Sequence, residues 1–268
     1  MTRLVVVGGG RMGNALIGGL LRSGWVEPAE MAIAERREAA RTELASRFPG
    51  VLIVAEPVAA ESAVLAVKPV DAESAAQALA AVHPPKVLSI MAGVPISKLE
   101  SWLNPGTAVL RAMPNMPAIL GSAASALAGG DSVSEEDFAW AEAVLSAFGV
   151  VARVSESALD AVTGLSGSGP AYVFLLAEAM IEAGVAEGLD RDVSRLLVTH
   201  TLLGSARLLA ETGESPEVLR AAITSPGGTT AAGLVVLERA AVRAAVVDAV
   251  AAAAERARQI GRHGTARG

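Results

Sequence analysis

A short apolar run, Leu4-Val5-Val6-Val7, breaks directly into Gly8-Gly9-Gly10-Arg11-Met12-Gly13, and this junction restricts the possible folds more than any other feature. The run has the composition of a strand buried on both faces. A helical pattern follows from Met12 to Arg22, and Gly24 ends it. Strand, glycine turn and helix in immediate succession open a βαβ unit, and the glycines fit G-x-G-x-x-G. In that pattern Gly8 permits the tight turn, Gly10 lets the backbone approach a pyrophosphate, and Gly13 lets helix pack on strand. The free N–H groups of the helix start, at Arg11 and Met12, would then meet the phosphates.

The alternation continues. Met31 to Ala34, Val51 to Val54, Ala63 to Val67, Val87 to Ile90, Ala108 to Ala112, Ala123 to Leu127 and Val150 to Val154 read as strands. Arg37 to Arg47, Asp71 to Ala81 and Glu135 to Phe148 read as helices between them. The pattern predicts an α/β fold: a Rossmann-type, doubly wound parallel sheet over residues 1–155, with helices on both faces. Beyond residue 155 only helical patterns follow, at Tyr172 to Ala186, Asp192 to Glu211, Pro216 to Ile223, Thr230 to Ala240 and Val242 to Ile260. These helices are rich in Ala and Leu and have too few charges to cover all their sides, so they must be buried. A small all-helical domain, 156–268, cannot bury them alone, and it is expected to pack against a second copy as a dimer or larger homo-oligomer. The alternative is that its helices wrap the first domain. Arg258 to Gly268 is polar and expected to fray.

Composition removes several functions. The net charge is -6, with only three lysines, Lys68, Lys86 and Lys98, which argues against a nucleic-acid partner. The chain has no cysteine, so thiolate nucleophiles, disulfides and Cys-ligated metals are excluded, and no metal site is expected. No uninterrupted apolar stretch of ~18 residues predicts a membrane span, and no signal peptide is visible. A cytoplasmic location is the expectation. The histidines, His83, His200 and His263, lie outside every candidate motif and are expected to be non-catalytic.

Glu35 ends the second strand, where an acidic residue usually accepts from the ribose 2′-hydroxyl of NAD. Arg36 and Arg37 follow at once, and guanidinium groups suit the 2′-phosphate of NADP. The arginines favour NADPH, with NADH possible; a solvated charge cluster opening the next helix is the other reading. Ala66-Val67-Lys68-Pro69 closes the strand that begins near Ala63. Its carboxyl end faces the ligand crevice, and Pro69 forces the chain out of the sheet, which puts Lys68 beside the cofactor. Small residues in Met91-Ala92-Gly93, after the next strand, would admit a flat nicotinamide.

Three loops stand out further on. Arg111-Ala112-Met113-Pro114-Asn115-Met116-Pro117 is stiffened by two prolines. Ser166-Gly167-Ser168-Gly169-Pro170-Ala171-Tyr172 precedes the first long helix of the second half, with Pro170 placed for a helix start. Thr224-Ser225-Pro226-Gly227-Gly228-Thr229-Thr230 offers backbone N–H groups and hydroxyls before a helix. That is either a nest for a carboxylate or a capped helix–helix turn.

The motifs Gly8 to Gly13, Ala66 to Pro69, Arg111 to Asn115, Asp160-Ala161-Val162-Thr163 with Ser166 to Tyr172, and Ser225 to Thr230 occur in this order over nearly the whole chain. In them the chain resembles the pyrroline-5-carboxylate reductases. The resemblance implies a Rossmann-type domain followed by an all-helical dimerisation domain. It implies NAD(P)H-dependent reduction of 1-pyrroline-5-carboxylate to L-proline, the last step of proline biosynthesis. It further implies that Val67 and Lys68 line the cofactor, that Ala92 lies near the nicotinamide, and that Ser225, Gly227, Gly228, Thr229 and Thr230 hold the substrate. Thr230 matches the threonine whose hydroxyl reaches the ring nitrogen. Members often carry serine or another residue at the position of Glu35, so this chain departs there.

A protonated cyclic imine needs orientation more than a strong acid, which fits a chain whose motifs contain no histidine. A β-hydroxyacid-type dehydrogenase would need a lysine in the helical half, and there is none. A dinucleotide-binding regulator without turnover would not need the Ser225 to Thr230 loop.

Overall fold

A computed structural model describes residues 2–264, with side chains described as far as Gly261. The strands are β1 (Leu4–Val7), β2 (Met31–Ala34), β3 (Leu52–Val54), β4 (Ala63–Leu65), β5 (Lys86–Ser89), β6 (Ala108–Met113), β7 (Ala123–Gly129) and β8 (Gly149–Arg153). They form one sheet in the order β3-β2-β1-β4-β5-β6-β7-β8. The helices of this part are α1 (Arg11–Arg22), α2 (Glu38–Arg47), α3 (Ala72–Ala80), α4 (Ile96–Trp102), α5 (Glu135–Ser146) and α6 (Leu159–Val162).

The apolar strand runs are explained by burial on both faces. Leu4 and Val6 join a cluster with Leu16, Ile17 and Leu20 of α1, Leu44 of α2 and Val144 and Leu145 of α5. Val5 and Val7 point the other way, into a cluster with Ala72, Ala76 and Leu79 of α3 and Ile96 and Leu99 of α4. Alternate residues of one strand therefore serve opposite cores, which a continuous apolar run permits and a half-polar strand would not.

The sheet is not wholly parallel. β6 and β7 pair antiparallel, while β7 and β8 pair parallel. The link from Pro114 to Ser122 is shorter than the dozen or more residues a parallel crossover needs, so the chain must turn back. Neither α4 nor the helical stretch after β8 was expected. That stretch is α6 followed by a π-helical turn at Thr163–Gly167, closed by the Ser168 N–H donating to the Thr163 carbonyl at 2.9 Å.

The chain divides into two compact units, Met1–Ser168 with Val250–Gly268, and Gly169–Ala249. The first break comes after Ser168 rather than at 155/156. Leu159 is buried in the second sheet cluster, and the Glu156 carboxylate accepts from the Ile96 N–H (2.7 Å) and from Arg111 (3.1 Å), so this segment packs with the sheet. The last helix, α11 (Val242–Gly264), follows α7 (Gly169–Ala186), α8 (Arg191–Thr212), α9 (Pro216–Ala222) and α10 (Thr229–Arg239). Arg258 to Gly264 is helical rather than frayed; residues 265–268 and the His263 side chain lie outside the described residues. The physical reason is contact: Ala254 and Ala257 are buried, and a Cβ on Gly164 would come within 2.6 Å of the Val250 carbonyl oxygen.

In the second unit α7 and α8 form a helical hairpin. Asp190 caps α8 through the N–H groups of Asp192 and Val193, and Gly188 makes the turn at φ 94°. α7 has no buried residue at all, and Phe174, Leu175, Leu196, Val236 and Val247 are exposed. Apolar helices in this state need a cover. The helical stretch Glu156–Ala186 is long and apolar enough to cross a membrane by length and composition, contrary to the expectation that no stretch would be; it is interrupted by the π-helical turn and by Pro170.

Candidate active site

The strand order reverses between β1 and β4, since the chain winds outward through β2 and β3 before returning. In doubly wound sheets ligands bind at such a switch point, beyond the carboxyl ends of the strands. A cleft of about 400 Å³ opens there. Its walls come from Gly8 and Gly10, from Glu35, Arg36 and Arg37 after β2, and from Val67 and Lys68 after β4. These were all read from the sequence. Ala55, Glu56 and Pro57 after β3, and Asp71, Ala75 and Ala78 on the α3 side, complete it and were not.

The glycine turn is built as its pattern requires. Gly8 has φ 107°, a conformation that any Cβ would strain. A Cβ on Gly13 would collide with the Gly8 carbonyl oxygen, so α1 can start this close to β1 only with glycine there. Gly10 has open space beside it. It is the N-cap of α1, has no side-chain cap bond, and the first turn carries no acidic residue, which leaves the helix start suited to an anion. Asn14, one turn along, donates to the carbonyls of Gly9 (2.7 Å) and Gly10 (3.1 Å) and so clamps the turn from below. The glycine spacing draws attention away from this asparagine. A side-chain donor one turn into the helix is the signal that could have found it.

The end of β2 is a hydrogen-bonded knot. Glu35 is buried; it accepts from the Gly9 N–H at 3.2 Å and from the Arg37 N–H and Nε at 3.0 Å each. Burial opposes ionisation of this carboxyl, but the Arg37 guanidinium, the Arg37 amide and the Gly9 amide together outweigh it and hold the group below its usual range. Arg36 reaches the other way, to Ser74 Oγ at 2.7 Å.

The remaining predicted cofactor residues, Arg11, Met12, Gly13, Pro69 and Ala92, do not line it. Arg11 is exposed at the start of α1, and Met12 packs on the sheet core. β4 ends at Leu65, earlier than Val67, and Pro69 opens a 3₁₀ turn, Pro69–Asp71, that carries the chain off the sheet with Lys68 as its N-cap. Ala92 is exposed in the turn after β5. These residues fit a dinucleotide: a glycine turn with room beside it, an uncapped helix start, and a basic pair at the end of β2.

In the second unit, Gly227 has φ 69°, and the Gly228 N–H donates to the Ser225 carbonyl at 3.0 Å. A Cβ on Gly228 would collide with Ser225 Oγ. Gly228 is the N-cap of α10, and no side chain caps that helix. The alternative of a capped turn thus has no cap bond in it. Ser225 and Thr229 are exposed and Thr230 is half-buried. Among the described residues no three metal-ligating side chains come together.

Two family models match the chain. Residues 156–260 match the model for pyrroline-5-carboxylate reductase dimerisation, and residues 3–93 match the model for coenzyme F420-dependent NADP oxidoreductases. Among relatives, a pyrroline-5-carboxylate reductase of Synechocystis is 39% identical over 264 residues, covering 97% of this chain and 98% of that one. The structure of a pyrroline-5-carboxylate reductase from Coxiella burnetii superposes with a TM-score of 0.91 at 32% identity, covering 97% of this chain and 98% of the other. A Plasmodium falciparum pyrroline carboxylate reductase with NADP bound gives 0.85 at 28% identity, with the same two coverages.

Proposed function

The chain belongs to the pyrroline-5-carboxylate reductases, and from that membership we infer its reaction: it reduces 1-pyrroline-5-carboxylate to L-proline with NAD(P)H. The full-length similarity carries this reading, because the glycine turn alone is shared by many dehydrogenases. The chain contains the family's dimerisation region and self-associates, which supplies the cover that its exposed apolar helices need. We further propose that the sheet-bearing unit holds the dinucleotide and that the family's dimerisation region, residues 156–260, provides the subunit contacts and the substrate loop, in a cytoplasmic enzyme.

When bound, the reduced nicotinamide supplies the hydride. The chain's residues then have three tasks. Gly8, Gly10 and the α1 start at Arg11 and Met12 bind the pyrophosphate, with Gly13 allowing that approach. Val67, Lys68, Pro69 and Ala92 border the rest of the cofactor. Ser225, Thr229 and the N–H groups of Gly227 and Gly228 hold the substrate carboxylate, and the Thr230 hydroxyl meets the ring nitrogen and fixes which face of the imine is presented. No strong acid is needed, because a cyclic imine can be protonated in water and its carbon is then electrophilic.

NADPH is the preferred form. Arg36 and Arg37 at the cleft support this, and the Plasmodium relative was solved with NADP. The test is a pair of initial-rate series with NADPH and NADH on pyrroline-5-carboxylate, following loss of reduced-nicotinamide absorbance and formation of proline. Proline formation with a higher kcat/KM for NADPH is expected. Cofactor binding without turnover overturns the reaction, and a higher kcat/KM for NADH overturns the preference.

A further inference from the structure

An ionised carboxylate has about four lone-pair sites. On Glu35 all four face donors. Oε1 accepts from the Arg37 N–H and Nε, each at 3.0 Å, and Oε2 accepts from the Gly9 N–H at 3.2 Å and Arg37 Nη2 at 3.3 Å. A ribose 2′-hydroxyl could be accepted here only by breaking one of these bonds, and the residue is 8% exposed. Glu35 is thus spent inside the protein, although its place at the end of β2 is the one from which an acidic residue ordinarily reads NAD.

The arginines beside it are each held by one partner. Glu35 grips the Nε–Nη2 edge of Arg37 and leaves the other guanidinium hydrogens free of it. Ser74 Oγ takes Nη2 of Arg36 at 2.7 Å, and that hydroxyl also donates to the Asp71 carbonyl at 3.1 Å. Arg41 Nη1 fixes the intervening turn through the carbonyls of Glu35 (3.0 Å) and Arg36 (2.7 Å). Three guanidinium groups therefore gather at the end of β2, and Glu35 is the carboxylate that pairs with one of them, Arg37.

We propose that Glu35 and Ser74 are positioning residues that hold Arg37 and Arg36 for the 2′-phosphate of NADPH, so that here an acidic residue at the end of β2 selects for NADPH. The proposal rests on the NADPH preference inferred above. Holding a guanidinium before the ligand arrives reduces the ordering that binding requires, so the gain falls on the phosphate-bearing cofactor alone.

The experiment measures kcat and KM for NADPH and for NADH with the wild type, Glu35→Gln and Ser74→Ala. Each variant is expected to lower the NADPH-to-NADH ratio of kcat/KM by roughly three- to tenfold, the scale of one or two lost hydrogen bonds, through a higher KM for NADPH. A ribose-reading Glu35 gives the opposite, a higher KM for NADH and a raised ratio in Glu35→Gln, and that result overturns the proposal. Equal losses with both cofactors also overturn it, by reducing Glu35 to support of the glycine turn. Ser74 is exposed on α3, so Ser74→Ala carries the test if Glu35→Gln does not fold. A wild type that prefers NADH defeats the parent reading and this one together. A wild type that prefers NADPH, with ratios unchanged in the variants, defeats this one alone.

Discussion

The side-chain amide of Asn115 donates to both the hydroxyl (3.1 Å) and the carbonyl (3.3 Å) of Ser166, while its Oδ1 accepts from the Ala124 N–H at 3.0 Å. Ser166 Oγ in turn donates to the Ala124 carbonyl at 3.2 Å. One asparagine thus joins the proline-stiffened loop, the start of β7 and the π-helical turn. Asn115→Ala removes three bonds from a half-buried network and is expected to cost about 2 kcal/mol, lowering Tm by about 4–8 °C. A melting curve that overlays the wild type's would dissolve this account of the loop.

Gly13 admits no Cβ, because the obstacle is the Gly8 carbonyl and not a movable side chain. Gly13→Ala must push α1 off β1 and spoil the turn that Gly8 makes. Binding of both NADPH and NADH is expected to weaken by about tenfold or more, the scale of one lost hydrogen bond to a charged phosphate. Cofactor fluorescence titration reads it, and an unchanged Kd for either cofactor contradicts the geometry.

Much of the sheet and of the lining of the cleft at its switch point was legible in the chain, and the reason is local. Leu4–Val7 with the glycines behind it needs no knowledge of distant residues, and the strands β1, β2, β4 and β5 fall on runs that are apolar because two cores share them. What escaped depends on partners far along the chain. Ser74 meets Arg36 across 38 positions, and nothing in its own neighbourhood marks it. Reversal of β7 is set by a link length that matters only once β6 and β7 are neighbours. The π-helical turn is held by Asn115 and by the close passage of α11 over Gly164, neither of which has a periodic signature. The resemblance, not the residue pattern, supplied the substrate roles of Ser225 to Thr230.

Thr230 lies in the first turn of α10, half-buried, behind an N-cap glycine that leaves the helix start without a side-chain cap. If its hydroxyl meets the ring nitrogen, Thr230→Ala lowers kcat/KM for the imine by about tenfold or more, in the range of a hydrogen bond made to a charged group. NADPH affinity should survive, because the glycine turn is untouched. Thr230→Ser should recover most of the loss. Wild-type kcat/KM in Thr230→Ala removes Thr230 from the reaction.

Ala241, between α10 and α11, has φ 54°, a left-handed conformation that costs a residue with a Cβ about 1–2 kcal/mol. Its N–H donates to the Glu238 carbonyl and its own carbonyl accepts from Ala245, so the conformation is fixed by both helices. Ala241→Gly relieves the strain but leaves a freer unfolded chain, for a net gain of about 0.5–1 kcal/mol. Tm should rise by about 1–4 °C. A lower Tm would show that the junction tolerates the alanine without strain.

The ionisation of Glu35 gives its arrangement a pH signature with a definite sign. Burial opposes the charge, but the Arg37 guanidinium and amide and the Gly9 amide prevail, so the native pKa lies below the unfolded value. As pH falls, the unfolded chain takes up the proton first. The stabilisation is therefore complete above the ordinary Glu value of about 4.3 and is lost only as pH drops through the lower native value. If Glu35 orders Arg37 for the 2′-phosphate, Glu35's own contribution to the ratio of NADPH to NADH affinity stays constant from neutral pH down to about 5. It declines only beneath the ordinary Glu range, below the step at about pH 6 given by the second ionisation of the 2′-phosphate itself. Glu35→Gln removes that acid limb. Titrations of both cofactors on the wild type and Glu35→Gln decide the matter. The two should share the step at about pH 6 that the 2′-phosphate itself gives and differ only below about 5, and curves of the same shape throughout assign the selectivity to some other group.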